Sequence, residues 1–222
     1  MDWVGHFDRL ATLPGTSDNT YKVNGFIYPH IVDCIRSCVR HILTAEKPSC
    51  IIDIGCGDGS VTGSFSEIIP VYGIDGSKNM LKLANAHGLK TVHCNFEDIL
   101  NLDLRPRGPT CIVLCECLVC VRDTNKFLTD IITFASQLES KIIISIPYQY
   151  SIARRLFQLF STSKTRLLCE TEILSPFLDN GFTAIVYNVF PILGHKRQKS
   201  YSKHGFFDLL ALNRVYLIQA MN

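Results

Sequence analysis

The sequence predicts an α/β fold: a doubly wound, mostly parallel, seven-stranded sheet with a terminal antiparallel hairpin. Three observations carry this reading. Short apolar runs alternate with stretches of helical spacing through five successive units. The runs Thr110–Leu114 and Lys141–Ile146 are apolar but for Thr110, Lys141 and Ser145, as strands covered on both faces are. Two last runs, Phe182–Phe190 and Arg214–Ala220, read as a hairpin joined by a long basic loop.

The elements follow in order. Trp3–Leu10 reads as a short helix in a loose, polar and aromatic segment, with turn signals at Pro14-Gly15 and Asn24-Gly25. Ile31–Leu43 places Ile31, Ile35, Val39 and Ile42 on one helical face, and Pro48 closes it. Ser49–Ile54 is the first strand, Ser60–Ile69 a helix and Val71–Asp75 the second strand. Lys78–His87 is a helix ended by Gly88, a usual C′ residue. Lys90–Cys94 is a short third strand. Thr124–Leu138 carries Phe127, Leu128, Ile131, Ile132, Ala135 and Leu138 as one apolar stripe. Ser151–Phe160 reads as an amphipathic helix, and Thr171–Asn180 as a helix stopped by Gly181.

At 222 residues the chain suits one domain, residues 1–222, with a sizeable core. A net charge of +2 gives no reason to expect a nucleic-acid partner. The start, MDWVGHFDRL, carries charges where a signal peptide would be apolar. No apolar run reaches the ~18–20 residues of a membrane span. The reading is a soluble, cytoplasmic protein that at most touches a membrane surface. Ten cysteines is a high count. They sit inside apolar runs such as CIVLCECLVC, Cys111 to Cys120, and read as reduced, buried thiols rather than disulfides or metal ligands.

The most informative stretch is IIDIGCGDGS, Ile51 to Ser60: a buried strand ending in Asp53 that breaks into Gly55, Gly57 and Gly59. Glycine serves where backbone bends sharply or a ligand comes close. The ligand would lie against main-chain N–H groups at the start of the next helix. A second acid, Asp75, ends the next apolar run. A dinucleotide motif would have glycine where Ser60 stands, and no Gly-Lys-Ser/Thr of a phosphate-binding loop follows. Asp53 and Asp58 make the turn acidic, which repels phosphate and suits a cation such as a sulfonium. Asp53 also suits a turn-capping acid, Asp75 a helix N-cap, Phe96 a core residue and Asn95 a turn residue.

Five segments in order resemble the class I S-adenosylmethionine-dependent methyltransferases. IIDIGCGDGS resembles their first motif, YGIDGS (Tyr72 to Ser77) the second, and CNFEDI (Cys94 to Ile99) the third. VLCECLVCVRD (Val113 to Asp123) resembles the fourth-strand segment and KIIISIP (Lys141 to Pro147) the fifth strand. The resemblance implies a Rossmann-like sheet, S-adenosyl-L-methionine as cofactor and S-adenosyl-L-homocysteine as product. It implies a small-molecule methyl acceptor and in-line displacement. It implies that Gly55, Cys56 and Gly57 line the methionine part through backbone, with Asp53 orienting that turn and helping with the ammonium group. Asp75 would bind both ribose hydroxyls, flanked by Gly76 and Ser77, and Met80 would pack on the adenine. Asn95, Phe96 and Glu97 would stand at the adenine, with Cys115 and Glu116 near the reactive methyl.

Many relatives that act on small molecules read Glu-x-Leu-Glu-His-Val in the fourth segment. Glu116, Leu118 and Val121 fit, but Val119 replaces the second Glu and Cys120 the His. A thiol serves as a base only with a lowered pKa. No catalytic residue is assigned; His30, His93, His195 and His204 are candidates without a place. The same resemblance implies a substrate lid from residues 1–30, 147–170 and 191–213, with Tyr21, Tyr28, Tyr148 and Tyr150 as aromatic lining. HKRQKSYSKH, His195 to His204, is the densest basic patch and reads as a solvated loop. A catalytically silent binding protein and an RNA methyltransferase are the competing functional readings.

Overall fold

The computed structural model describes residues 2–12, 28–148, 151, 168–190, 194–197, 211 and 213–221, with the main chain alone at 28–31 and 194–197. Among the described residues eight strands form one sheet: β1 (Cys50–Ile54), β2 (Val71–Asp75), β3 (Lys90–His93), β4 (Thr110–Cys115), β5 (Lys141–Pro147), β6 (Phe182–Phe190), β7 (Gly194–Arg197) and β8 (Asn213–Ala220). Their order is β3-β2-β1-β4-β5-β8-β6-β7. The first five are parallel, and β8 runs antiparallel between β5 and β6. The predicted strands are all present. β7 is an addition: it pairs antiparallel with the end of β6, inside the stretch read as a basic loop.

The helices are α1 (Trp3–Leu10), α2 (Tyr28–Glu46), α3 (Lys78–Ala86), α4 (Thr124–Gln137) and α5 (Glu170–Asp179). The period-two alternation of the strands sorts them onto two faces. Ile52, Ile54, Ile112, Leu114, Ile142 and Ile144 pack with α4 and α5 through Phe127, Ile131, Ile173 and Phe177. Their neighbours Ile51, Cys111, Val113 and Ile143 pack with α2 and α3 through Ile35, Val39, Leu81 and Ala84. That sandwich is why β4 and β5 lack a polar side. The chain order reverses between β1 and β4, so a crevice opens at the C-terminal ends of those strands.

One expected helix does not form. Ser60–Ile69 is a run of turns with a single 3-10 turn at Gly63–Phe65. Gly59 is left-handed, φ +78°, and Asp58 Oδ1 accepts from the Ser60 N–H at 3.0 Å, an Asx turn that competes with helix. Thr62, which would lie inside the helix, donates its hydroxyl to Asp53 instead. The predicted helix over Ser151–Phe160 lies, beyond Ser151, outside the described residues, as do Tyr21, Tyr150 and His204.

The antiparallel half of the sheet encloses a charged network. Arg214 on β8 is 0 % exposed. Its Nη1 donates to both Glu170 oxygens at 2.7 and 2.8 Å, and its Nε donates to Asn188 at 2.9 Å. Its guanidinium lies 3.9 Å over the Tyr148 ring, and the Tyr216 hydroxyl donates to Glu170. Tyr148 is thus a buried platform for a cation, not lining for an acceptor. Removing one partner of a buried pair strands the other charge. Glu170→Ala should cost about 3–5 kcal/mol in urea unfolding, and Glu170→Ala with Arg214→Met should recover part of it. A single variant within about 0.5 kcal/mol of the parent would contradict this account of the pair.

Candidate functional site

β1 ends at Ile54 and the chain turns through Gly55 at φ +73° and Gly57 at φ +54°. A Cβ on Gly55 would stand 2.5 Å from the Cys117 Cβ, so the loop after β4 sits directly on the turn. A Cβ on Gly57 would meet nothing within 4 Å. It would project into open space above the strand ends, and glycine leaves that space to a ligand. α2 braces the far side of the turn: Arg36 Nη2 donates to Ser60 Oγ at 2.6 Å and Arg40 Nη2 to the Ser60 carbonyl at 3.0 Å.

Asp75 ends β2 beside this turn. Its Oδ2 accepts from the Gly57 N–H at 2.9 Å and its Oδ1 from the Ser77 N–H at 2.8 Å. The carboxylate therefore bridges the loops after β1 and β2. It is not the N-cap of α3; that is Ser77, whose hydroxyl accepts from the Met80 N–H at 3.2 Å. Burial pushes the Asp75 carboxyl above its usual range, opposed by the N–H groups of Ser77 and Gly57. A carboxylate has about four acceptor positions. These two bonds use one on each oxygen.

Asp53 lies one strand over, on β1, and is 1 % exposed. Its Oδ2 accepts from the Thr62 hydroxyl at 2.6 Å, while Oδ1 has no hydrogen-bond partner. Asp58 is buried as well, and its Oδ2 is likewise unsatisfied. Buried acceptors without donors are costly. Two of them under an acidic turn fit a ligand that brings N–H donors and positive charge. The Asp53 carboxyl is pushed up to about 7, chiefly by burial, against the Thr62 hydroxyl and with the Asp75 and Asp58 charges adding.

Glu116 leaves β4 in the left-handed region, φ +57°, which costs a non-glycine residue about 1 kcal/mol or more. One buried hydroxyl holds it: Ser145 Oγ accepts from the Glu116 N–H at 3.0 Å and donates to its Oε1 at 2.9 Å. Asn213 Nδ2 on β8 donates to the same oxygen at 2.8 Å. The carboxylate is thus tied to β5 through Ser145 and to β8 through Asn213.

The remaining expected residues divide. Gly76 is close to Asn95: a Cβ on it would lie 3.1 Å from Asn95 Oδ1. Asn95 is exposed and makes no cap bond to the 3-10 turn Phe96–Asn101 that follows, and Glu97 is exposed beside it. Phe96 turns its ring against Phe127, centroids 5.2 Å apart, so the ring packs the core. Met80 is 1 % exposed, in the first turn of α3, where its N–H is capped by Ser77. Cys56 is buried, leaving its main chain at the turn, and Cys115 is half-buried with a thiol raised by burial. The Cys120 thiol is pushed up to about 12, mainly by burial, so it is no thiolate base. His93 Nε2 lies 3.0 Å from the Gly76 carbonyl. The side chains of Tyr28, His30 and His195 lie outside the described residues. Sequence reasoning missed Thr62, Ser145 and Asn213. Each is an ordinary polar residue distant in the chain from the acid that it holds, with no motif to mark it.

A carboxyl raised in the folded chain favours folding while protonated. The Asp53 contribution is full below its unfolded value, about 4, and is lost as pH rises to about 7. Asp53→Asn should remove that slope and raise the Tm of the ligand-free protein at pH 8 by about 2 °C or more. Thermal unfolding from pH 4 to pH 8 checks this; parallel profiles for parent and variant would contradict it.

Residues 51–135 match the family model described as a methyltransferase domain. No curated protein matches the chain in sequence. Solved structures match it in fold. The magnesium protoporphyrin IX methyltransferase of Synechocystis PCC 6803, with bound S-adenosylhomocysteine, is 16% identical with a TM-score of 0.62, covering 89% of this chain and 88% of that one. A Thermotoga maritima protein, described as a possible histamine N-methyltransferase, is 17% identical with a TM-score of 0.60, covering 87% and 94%. A S-adenosylmethionine-dependent methyltransferase from Archaeoglobus fulgidus is 15% identical with a TM-score of 0.62, covering 91% and 97%. The glycine turn, Asp75 and the loop after β4 all fall inside the span matched by the methyltransferase-domain model, and the fold of the chain is that of these methyltransferase structures.

Proposed function

We propose that the chain moves the methyl group of S-adenosylmethionine in line onto a small organic acceptor. The donor lies across the ends of β1 and β2, and the acceptor over the ends of β4 and β5. The carrying observation is the Asp75 carboxylate, held by the Gly57 and Ser77 N–H groups. Its unused acceptor positions suit two vicinal ribose hydroxyls. Gly55, Cys56 and Gly57 offer main chain to the methionine end. The unsatisfied oxygen of Asp53 suits the ammonium group directly or through water. Gly76 and Ser77 flank the ribose, Asn95 and the Phe96 N–H meet the adenine, and Glu97 stands at its rim. Cys115 and Glu116 border the methyl.

The sulfonium supplies an activated methyl, which passes to an acceptor lone pair as S-adenosylhomocysteine leaves. What remains for the chain is alignment. No histidine occurs between His93 and His195, so none stands on β4, on β5 or in the loops that directly follow them. With the Cys120 thiol protonated, the observed strand ends suit an acceptor that already carries a free lone pair near neutrality, a carboxylate or a weakly basic amine. Ten cysteines as free thiols suit the reducing cytoplasm.

Calorimetry with S-adenosylhomocysteine tests the donor site. The parent should bind, and Asp75→Ala should bind about a hundred-fold more weakly, the loss of two charge-assisted hydrogen bonds. Labelled methyl from the donor should appear in a small-molecule extract and not in total RNA. Equal affinity for parent and Asp75→Ala would remove this reading of the site, and label in RNA alone would replace the acceptor class.

A further inference from the structure

α1 is eight residues long and has no fully buried side chain. A helix that short does not hold itself in water. Its N-terminus is closed locally, by Asp2 accepting from the Gly5 N–H at 3.0 Å. Its attachment to the rest of the molecule runs through Asp8. Asp8 Oδ1 accepts from Ser77 Oγ at 2.5 Å and from the Asn79 N–H at 3.2 Å. Asn79 Nδ2 donates to the Asp8 carbonyl at 3.4 Å. Beside this contact Val4 rests on Gly76, where a Cβ would stand 3.1 Å from Val4 Cγ2.

An acid 69 residues away in sequence thus completes the first turn of α3. Ser77 sits at the junction. Its hydroxyl is given to Asp8 and accepts from Met80, and its N–H is given to Asp75 Oδ1 at 2.8 Å. The bonds to Asp8, Met80 and Asp75 thus meet on one residue, and the Ser77 carbonyl accepts from the Leu81 N–H at 3.1 Å. The Ser77 hydroxyl and then the Asn79 N–H hold the Asp8 carboxyl below its usual range, so it is charged at neutral pH. The contact is a charge-assisted one, stronger than a neutral hydrogen bond.

We propose that Asp8 is a positioning residue: by fixing Ser77 it aims the Asp75 carboxylate at the ribose hydroxyls of the methyl donor. The inference rests on the donor site proposed above. It differs from a role as simple glue for α1. Glue would weaken every ligand that α1 covers to the same degree. Positioning of Asp75 acts only through the hydroxyls that Asp75 holds.

The test compares S-adenosylhomocysteine with its 2′-deoxyribose analogue by calorimetry, in the parent, Asp8→Asn, Ser77→Ala and the double variant. Asp8→Asn should weaken S-adenosylhomocysteine about ten-fold and the deoxy analogue about two-fold. Ser77→Ala should do the same, and the double variant should be no worse than either single one, because the two act in series. Trp3, the sole tryptophan, reports by its emission whether α1 stays seated. Should Asp8→Asn fail to fold, Ser77→Ala carries the same comparison. Equal losses for both probes, no loss, or additive losses in the double variant would overturn the proposal and leave the donor site standing. A parent that binds neither probe would remove the donor site itself.

Discussion

The site depends on a single carboxylate held between two loops. Asp75 accepts one N–H from the turn after β1 and one from the turn after β2. Parallel strands β1 and β2 bring these turns side by side, since Ile54 is in register with Ile74. The hydrogen bonds then set the distance between them. Gly57 has to present its N–H and leave the space above it empty, which a residue with a Cβ does not do. Ser77 has to give its N–H to Asp75 while its hydroxyl caps α3. The cradle is therefore a constraint shared by two loops, and neither loop could take this shape without the other's acid or amide.

The same region stores unfavourable terms. Asp53 and Asp58 each bury an oxygen that no donor satisfies, and Asp75 adds like charge. Glu116 holds a left-handed backbone at the end of β4. Such strain persists where the surrounding structure over-determines it. Here Thr62, Ser145 and Asn213 supply that determination from three other segments. A cationic donor would relieve the acidic turn, so binding and the local cost of folding act on the same groups.

Much of this was legible in the sequence. Continuous apolar runs identified the parallel strands because both faces are covered. The glycines of Ile51–Ser60 and the acid at Asp75 marked the site because backbone freedom and charge leave a compositional trace. The failures have physical causes. Ser60–Ile69 had a helical look, but an Asx turn at Asp58 and a hydroxyl committed to Asp53 broke it, and both are tertiary facts. Met80 is 1 % exposed, and the ring of Phe96 packs on Phe127 while its Cζ stands 3.4 Å from where a Gly55 Cβ would be, so both touch core and turn in ways a linear motif does not show. Tyr148 looked like pocket lining and carries a buried guanidinium. The strand Gly194–Arg197 hid in a basic stretch, because an edge strand needs no apolar pattern. Asp8 gave no signal at all, since its partner lies in another motif.

A crystal structure of the protein with S-adenosylhomocysteine tests the central claim most directly. Both ribose hydroxyls should lie within hydrogen-bond distance of Asp75, with the Gly57 and Ser77 N–H bonds to that carboxylate intact and the homocysteine ammonium group reaching Asp53 directly or through one water. A ligand found elsewhere on the sheet, or an Asp75 that has let go of Gly57 to receive it, would contradict the account.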